Sequence, residues 1–251
     1  MTPELKEALA HKLLAMADDE LILGHRDSEW TGHAPILEED IAFANIAQDE
    51  IGHAGIWYEL LQALTGDDPD QLIFFRDAGA YRCAQLVELP KGDWAFSMMR
   101  QYLFDAAEMV QLARLVHSQY PPLAEAAAKM RNEEMYHYRH TSNWIRRLGL
   151  GTGESQRRTQ AALEELWPYA LQLFSPLAEE SRLVAADYVP DPLVAHEAWE
   201  GTVRPFLEES GLQVTETIDV PATPRDQHTE YLPALLAEMQ EVARLDPGAE
   251  W

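Results

Sequence analysis

The chain has 251 residues, of which 47% are apolar, and this composition is typical of a globular protein rather than a disordered one. Its formal net charge is −24, from 43 acidic and 19 basic residues. Such a negative field repels DNA, RNA and anionic lipid, so we expect no nucleic-acid partner. A metal cation, or a protein partner with a basic face, suits the charge better.

Cysteine content and hydropathy bear on the compartment. Cys83 is the only cysteine, so the chain can form no internal disulfide and no thiolate cluster for zinc or iron–sulfur. The N-terminus lacks the basic start and apolar stretch of a signal peptide. No run of about 18 apolar residues occurs, so the sequence predicts no membrane span. We therefore expect a cytoplasmic protein.

Apolar periodicity predicts an all-α protein that begins with four long helices, at about 3–27, 37–65, 93–118 and 121–148. Thr2 can cap the first helix, with Pro3 at its first position, and Asp93 can cap the third. Residues 70–92 are predicted to form a long crossover with short helical pieces. Such a crossover lets the second and third helices run parallel, as one-crossover ferritin-like bundles require.

The pattern changes after residue 149, where a glycine-rich hinge precedes further helices. These are predicted at about 154–174, 191–209 and 228–245, with an irregular or short β piece at 211–227. The sequence thus predicts a ferritin-like four-helix bundle at 1–150. It predicts a helical extension at 151–251, packed on the bundle or on a partner, within a single domain overall.

Two copies of the pattern Glu-x-x-His stand out, Glu50 with His53 on the second helix and Glu134 with His137 on the fourth. Residues three apart on a helix lie on one face, a turn apart. Two such units, plus one glutamate from each of two further helices, form the ligand set of carboxylate-bridged di-iron and di-manganese bundles. Glu20 and Glu108 lie on the inward faces of the first and third helices and complete that set.

The chemistry requires these residue types, because two metal ions bring at least four positive charges into the bundle core. Four carboxylates neutralise them, and two imidazoles complete an oxygen and nitrogen shell suited to iron or manganese. Asp49 and Glu133, which precede the two Glu-x-x-His units, are candidates to hydrogen-bond a ligand histidine, and Asp105 is a third such candidate.

Plainer interpretations compete with this one. A single Glu-x-x-His is weak evidence, because surface helices are rich in both residues. Asp18 and Asp19 are most simply cap or solvent-facing charges, and Cys83 a small packed residue. A zincin is excluded, because the first histidine of His-Glu-x-x-His is missing.

The stretch from Glu29 to Glu38, EWTGHAPILE, resembles the front of the ferritin-like subunits of phenylacetyl-CoA ring-1,2-epoxidase, the phenylacetate degradation family. Further matching segments are 44–46, 52–54, 100–102, 136–139 and 236–240. The resemblance covers nearly the whole chain, and it favours the structural, C-type subunits. It implies a ferritin-like bundle that pairs with a related catalytic subunit, which holds two iron ions and receives electrons from a separate reductase.

In the C-type subunits of this family the metal ligands have generally been lost, whereas all six stand in place here. The first hypothesis is therefore an epoxidase subunit with its own di-metal centre, of iron or alternatively manganese. The second is a non-catalytic structural partner of the catalytic subunit, and the third a stand-alone ferritin-like di-iron oxidase. A homodimer is a further candidate assembly.

Overall fold

The structure, a computed structural model, describes residues 1–214 and 223–249. Its α-helices are, in chain order, α1 (Pro3–Ser28), α2 (Leu37–Thr65), α3 (Pro69–Phe74), α4 (Gln85–Glu88), α5 (Trp94–Leu115), α6 (Pro121–Gly149), α7 (Gly153–Leu171), α8 (Glu180–Ala185), α9 (Pro192–Glu209), α10 (Leu232–Met239) and α11 (Glu241–Leu245). Short 3-10 turns occupy Ala78–Ala80 and Gln172–Phe174. Neither described range contains a strand, so the all-α prediction is confirmed. Positions 215–222 of the predicted irregular piece lie outside the described residues.

Local sequence signals place the ends of the long helices. The Thr2 hydroxyl accepts a hydrogen bond from the Leu5 amide at 3.3 Å, and Asp93 accepts one from the Phe96 amide at 3.0 Å. Gly66 ends α2 in the left-handed conformation, with φ of 88°, which glycine adopts without steric cost. The four long helices therefore begin and end within a few residues of their predicted bounds.

The chain groups into two compact units. The first, here called the N-terminal unit, comprises residues 1–90 and 224–251, and the second, the central unit, comprises 91–223. The predicted division into a bundle at 1–150 and an extension at 151–251 stays a prediction, because compactness alone does not decide which segments fold together.

In the N-terminal unit, α1 and α2 pack as an antiparallel pair. A Cβ on Gly24 would lie 2.9 Å from the Ala47 carbonyl oxygen, so the two helices approach closely at this glycine. Later in α2, the Tyr58 hydroxyl donates a hydrogen bond to Asp18 of α1 at 2.5 Å. Later residues of α2 thus face earlier residues of α1, and the short connector between the helices fits this direction.

Asp18 and Asp19 correct the sequence analysis, which placed them at the solvent. Asp18 is fully buried, and Asp19 is 7% exposed. Arg76 donates to both Asp18 oxygens and Arg225 to both Asp19 oxygens, the latter at 2.7 and 2.8 Å. The prediction was wrong because these arginines lie far away in the sequence, and helical periodicity gives no sign of them.

The C-terminal helices of the N-terminal unit are held by side chain to backbone hydrogen bonds. The Gln240 amide donates to the carbonyl oxygens of Ile73 and Arg76, at 2.9 and 3.0 Å. Arg244 adds a hydrogen bond to the Phe74 carbonyl at 3.0 Å. Residues 240–244 are therefore held against the segment that follows α2.

In the central unit, α5 and α6 form a second antiparallel pair. The rings of Trp94 and Trp144 lie 5.5 Å apart, and those of Tyr102 and Tyr138 lie 5.8 Å apart. The helices α7 and α9 pack against α5. The buried Trp199 indole of α9 donates to the Leu103 carbonyl of α5 at 3.2 Å, which satisfies its polar edge.

Each unit thus supplies one antiparallel pair of long helices, as the predicted ferritin-like class requires. No helix of the described residues combines the length and apolar character that crossing a membrane demands.

Candidate metal centre

Three of the predicted ligands meet in the N-terminal unit. Glu20 comes from α1, and Glu50 and His53 come from α2, where the spacing of three puts them on one helix face. The three side chains are at most 2% exposed. One ligand atom of each lies within 4.8 Å of the other two. The structure thus brings three of the predicted ligands together, and their binding of a metal ion stays a prediction.

Packing explains why the two helices bring their ligands so close. Gly24, one turn beyond Glu20, leaves room for the backbone of α2, since a side chain there would meet the Ala47 carbonyl oxygen and the Ile51 side chain at 2.9 Å. The glycine therefore sets the spacing of α1 and α2 beside the ligands.

The donor set fits a metal cation. Two carboxylates and an imidazole in a buried site offer the oxygen and nitrogen ligands that iron and manganese accept. A buried carboxylate is costly unless a counter-charge accompanies it, and here two of them share one small volume. A divalent cation would supply that counter-charge.

The central unit holds a second group of predicted ligands. Glu134 and His137 lie on the buried face of α6, at 0% and 2% exposure, with 3.2 Å between Glu134 Oε1 and His137 Nδ1. An oxygen of Asp105, from α5, lies within 4.8 Å of a ring nitrogen of His137. This group again combines carboxylates with an imidazole.

On α5, the third of the four long helices, Asp105 is more deeply buried than Glu108, which was the predicted ligand. Asp105 is fully buried, and it accepts hydrogen bonds from the Gln101 amide at 2.8 Å and the Thr141 hydroxyl at 2.7 Å. Glu108 is partly exposed, and its carboxylate accepts a hydrogen bond from Gln111 at 3.3 Å. Both residues lie near the inward face of α5, so helical periodicity does not distinguish them, and Asp105 was predicted only to support the ligands.

The other two residues predicted to support the ligands differ in depth. Asp49 is half-buried on α2, whereas Glu133 lies on the exposed face of α6. Their predicted hydrogen bonds to ligand histidines stay predictions.

A separate cluster in the N-terminal unit also combines ligand types. Cys83, Glu88 and His228 each offer an atom within 4.8 Å of the others. Glu88 Oε1 lies 2.7 Å from His228 Nδ1, and Glu88 Oε2 accepts hydrogen bonds from the Thr229 amide and hydroxyl at 2.6 and 2.7 Å. Burial, and then the Glu88 charge, raise the pKa of the Cys83 thiol well above its ordinary value. These bonds make the cluster a structural link between 83–88 and 228–229.

Comparison with known proteins places the chain in a family. All of residues 1–251 match the family described as Phenylacetic acid catabolic protein. The chain is 37% identical over 240 residues to the C subunit of 1,2-phenylacetyl-CoA epoxidase from Escherichia coli (strain K12), covering 95% of this chain and 97% of that protein. It is 25% identical over 181 residues to the A subunit of the same epoxidase, covering 72% of this chain and 58% of that protein. The chain therefore belongs to the phenylacetic acid catabolic protein family.

Proposed function

We propose that this chain is a subunit of a multicomponent phenylacetyl-CoA 1,2-epoxidase, the monooxygenase of aerobic phenylacetate catabolism. The support is its similarity to two proteins that are both named as subunits of that epoxidase, one of them along nearly its whole length. We further propose that the chain binds two iron ions, with manganese as the alternative metal.

The buried group of Glu20, Glu50 and His53 is the observation that carries the metal proposal. Ligands from two pairs of helices complete a single centre in four-helix di-metal proteins. The proposed ligands are accordingly Glu20, Glu50, His53, Glu134 and His137, with one carboxylate from α5. For that carboxylate we favour Asp105 over Glu108, because Asp105 is the more deeply buried and already accepts two hydrogen bonds.

The roles of the chain's own residues follow from their contacts. Gln101 and Thr141 hold the Asp105 carboxylate in one orientation, as outer hydrogen bonds do for metal ligands. Ile46 and Met130 are buried one turn before Glu50 and Glu134 on the same helices, and apolar side chains at these positions would keep water from the proposed ligands. A bound di-iron pair would supply the activation of O2, which protein side chains cannot provide.

A second function is favoured by the higher identity to the C subunit than to the A subunit. In that case the chain is a structural partner of a catalytic subunit, and its metal stabilises the fold without taking part in turnover. Both versions require a second, related ferritin-like chain, and the active version also requires a reductase component.

Location and further assembly belong to the same proposal. The lone cysteine is a free thiol, the state that a reducing cytoplasm maintains, so we place the protein there. A homodimer of this chain is a further candidate assembly.

Metal quantitation on the native protein tests the proposal. We expect about two metal ions per chain, and a large loss of metal in Glu50→Ala. The control Glu59→Ala changes an exposed acid on the same helix, and it should keep the metal. A native chain that binds no metal with all its ligands intact would refute the metal proposal.

Two further measurements separate the alternatives. Asp105→Ala should lose more metal than Glu108→Ala if Asp105 is the ligand from α5, and the reverse result assigns Glu108. An optical band that appears when the reduced, metal-loaded protein meets O2 supports an active centre, whereas metal without such a band supports the structural role.

A further inference from the structure

The helix α2 has an exposed apolar stripe on the side opposite its buried ligands. Leu37, Ile41 and Ile51 are 71%, 56% and 46% exposed, a large exposure for branched apolar side chains. The stripe follows alternating steps of four and three residues, through Leu37, Ile41, Ala44, Gln48, Ile51 and Gly55. Its exposed apolar side chains are the leucine and the two isoleucines, whereas Ala44 and Gly55 are half-buried and Gln48 is an exposed polar residue. The stripe extends for about 27 Å at the helical rise per residue.

The spacing and shape of the stripe match a helix-binding seam. Alternating steps of three and four residues keep one face of a helix against a partner helix, as in knobs-into-holes packing. A Cβ added to Gly52 or Gly55 would meet nothing within 4 Å, so the surface is open there. A partner helix can contact the bulky leucine and isoleucine side chains at one end of the stripe. It can approach closely at the glycines toward the other end.

Charge identifies the kind of partner. The acids of α2 include Glu38, beside the stripe, and Glu59, at its end, and the helix contains no lysine or arginine. In a symmetric pair of two copies, α2 would face α2 and acidic residues would meet each other. Like charges across an interface disfavour pairing, whereas a basic partner surface is attracted.

We propose that this stripe of α2 docks an apolar helix flanked by basic residues, carried by a non-identical partner chain. The inference rests on the proposed function, which requires a second ferritin-like chain, and it adds the surface through which that chain binds. Metal binding by this chain does not depend on the docking surface, so the docking proposal and the metal proposal can fail independently.

The probe is the chain from the same organism that is related to the A subunit of the epoxidase, with binding measured by calorimetry. Ile41→Glu places a charge within the stripe, one turn from its N-terminal end, and should weaken binding by about 30-fold or more, the size of an interface hot spot. The matched control is Leu193→Glu on α9, because Leu193 is likewise an exposed branched apolar residue, 71% exposed against 56% for Ile41. It should bind like the wild type.

Gly55→Leu distinguishes docking from folding. Leucine favours a helix more than glycine does, and the space at this position is open, so the melting temperature of the isolated chain should stay the same or rise. Binding should nevertheless fall at least tenfold, because the side chain fills the seam. Glu38→Lys should also weaken binding, and the wild-type affinity should fall as salt is added.

Several results would overturn the proposal. Wild-type affinity in both Ile41→Glu and Gly55→Leu would show that the partner binds elsewhere. Self-association of the wild type that Ile41→Glu abolishes would assign the stripe to a second copy. If the probe chain does not bind, the proposed partner is wrong. The metal part of the proposed function would still be supported if this chain binds two metal ions.

Discussion

Replacing Arg76 by methionine should destabilise the N-terminal unit severely. Arg76 faces Asp18, with 3.0 Å between Nη1 and Oδ2 and 2.5 Å between Nη2 and Oδ1. The Asp18 side chain is completely buried, and that of Arg76 is 11% exposed. Burial alone would lower the pKa of Arg76, but the Asp18 carboxylate raises it overall, so the Arg76 guanidinium stays charged. Methionine has a similar apolar stem but cannot donate a hydrogen bond.

The size of the effect follows from what the substitution leaves behind. Asp18 keeps hydrogen bonds from the Tyr58 hydroxyl and the Arg82 amide but loses its buried counter-charge. Removing one partner of a buried ion pair costs about 3–5 kcal/mol. At about 2–4 °C per kcal/mol for a chain of this size, the melting temperature should fall by about 10 °C.

Calorimetry and urea unfolding followed by circular dichroism measure this loss. The control is Arg182→Met, which removes an arginine that pairs with Glu179 at the surface, where both side chains are more than half exposed. That variant should unfold like the wild type, because exposed pairs contribute little. Equal stability of Arg76→Met and Arg182→Met would refute the assignment of the Asp18 pair as a buried anchor of the fold.

Three further predictions concern packing and ionisation. Gly24→Ala should lower the free energy of unfolding by about 1 kcal/mol, because crowding against a carbonyl oxygen of α2 at 2.9 Å outweighs the gain in helix propensity. Gly55→Ala, in open space, should raise the free energy of unfolding by about 0.5–1 kcal/mol. The midpoints of urea unfolding measure both changes. The thiol of Cys83 is buried and its pKa is raised, so a thiol reagent should label it only after unfolding, and rapid labelling of the native protein would contradict that burial. Burial also raises the pKa values of Tyr58 and Tyr81, so the folded chain keeps protons that the unfolded chain releases. Stability should therefore be complete below about pH 9 and fall as the pH rises further, and flat urea midpoints from pH 8 to 11 would oppose this.

The sequence by itself determined the helices and most of their faces. Caps and breakers act within a few residues of one another, so Thr2, Asp93 and Gly66 set helix ends that could be predicted. Helical periodicity likewise placed Glu20, Glu50, His53, Glu134 and His137 on faces that are buried. These features depend on residues that lie close together in the sequence, so the sequence pattern is enough to predict them.

Tertiary structure decided which charges are buried and where residues 224–249 pack. Asp18 and Asp19 are buried because arginines 58 and 206 positions away reach them. Asp105 lies deeper than Glu108 because Gln101 and Thr141 hold it, and Thr141 comes from another helix. Residues 224–249 join the N-terminal unit through contacts such as His228 with Glu88. Each outcome depends on which distant segments meet in space, and a pattern read along one helix does not contain that information.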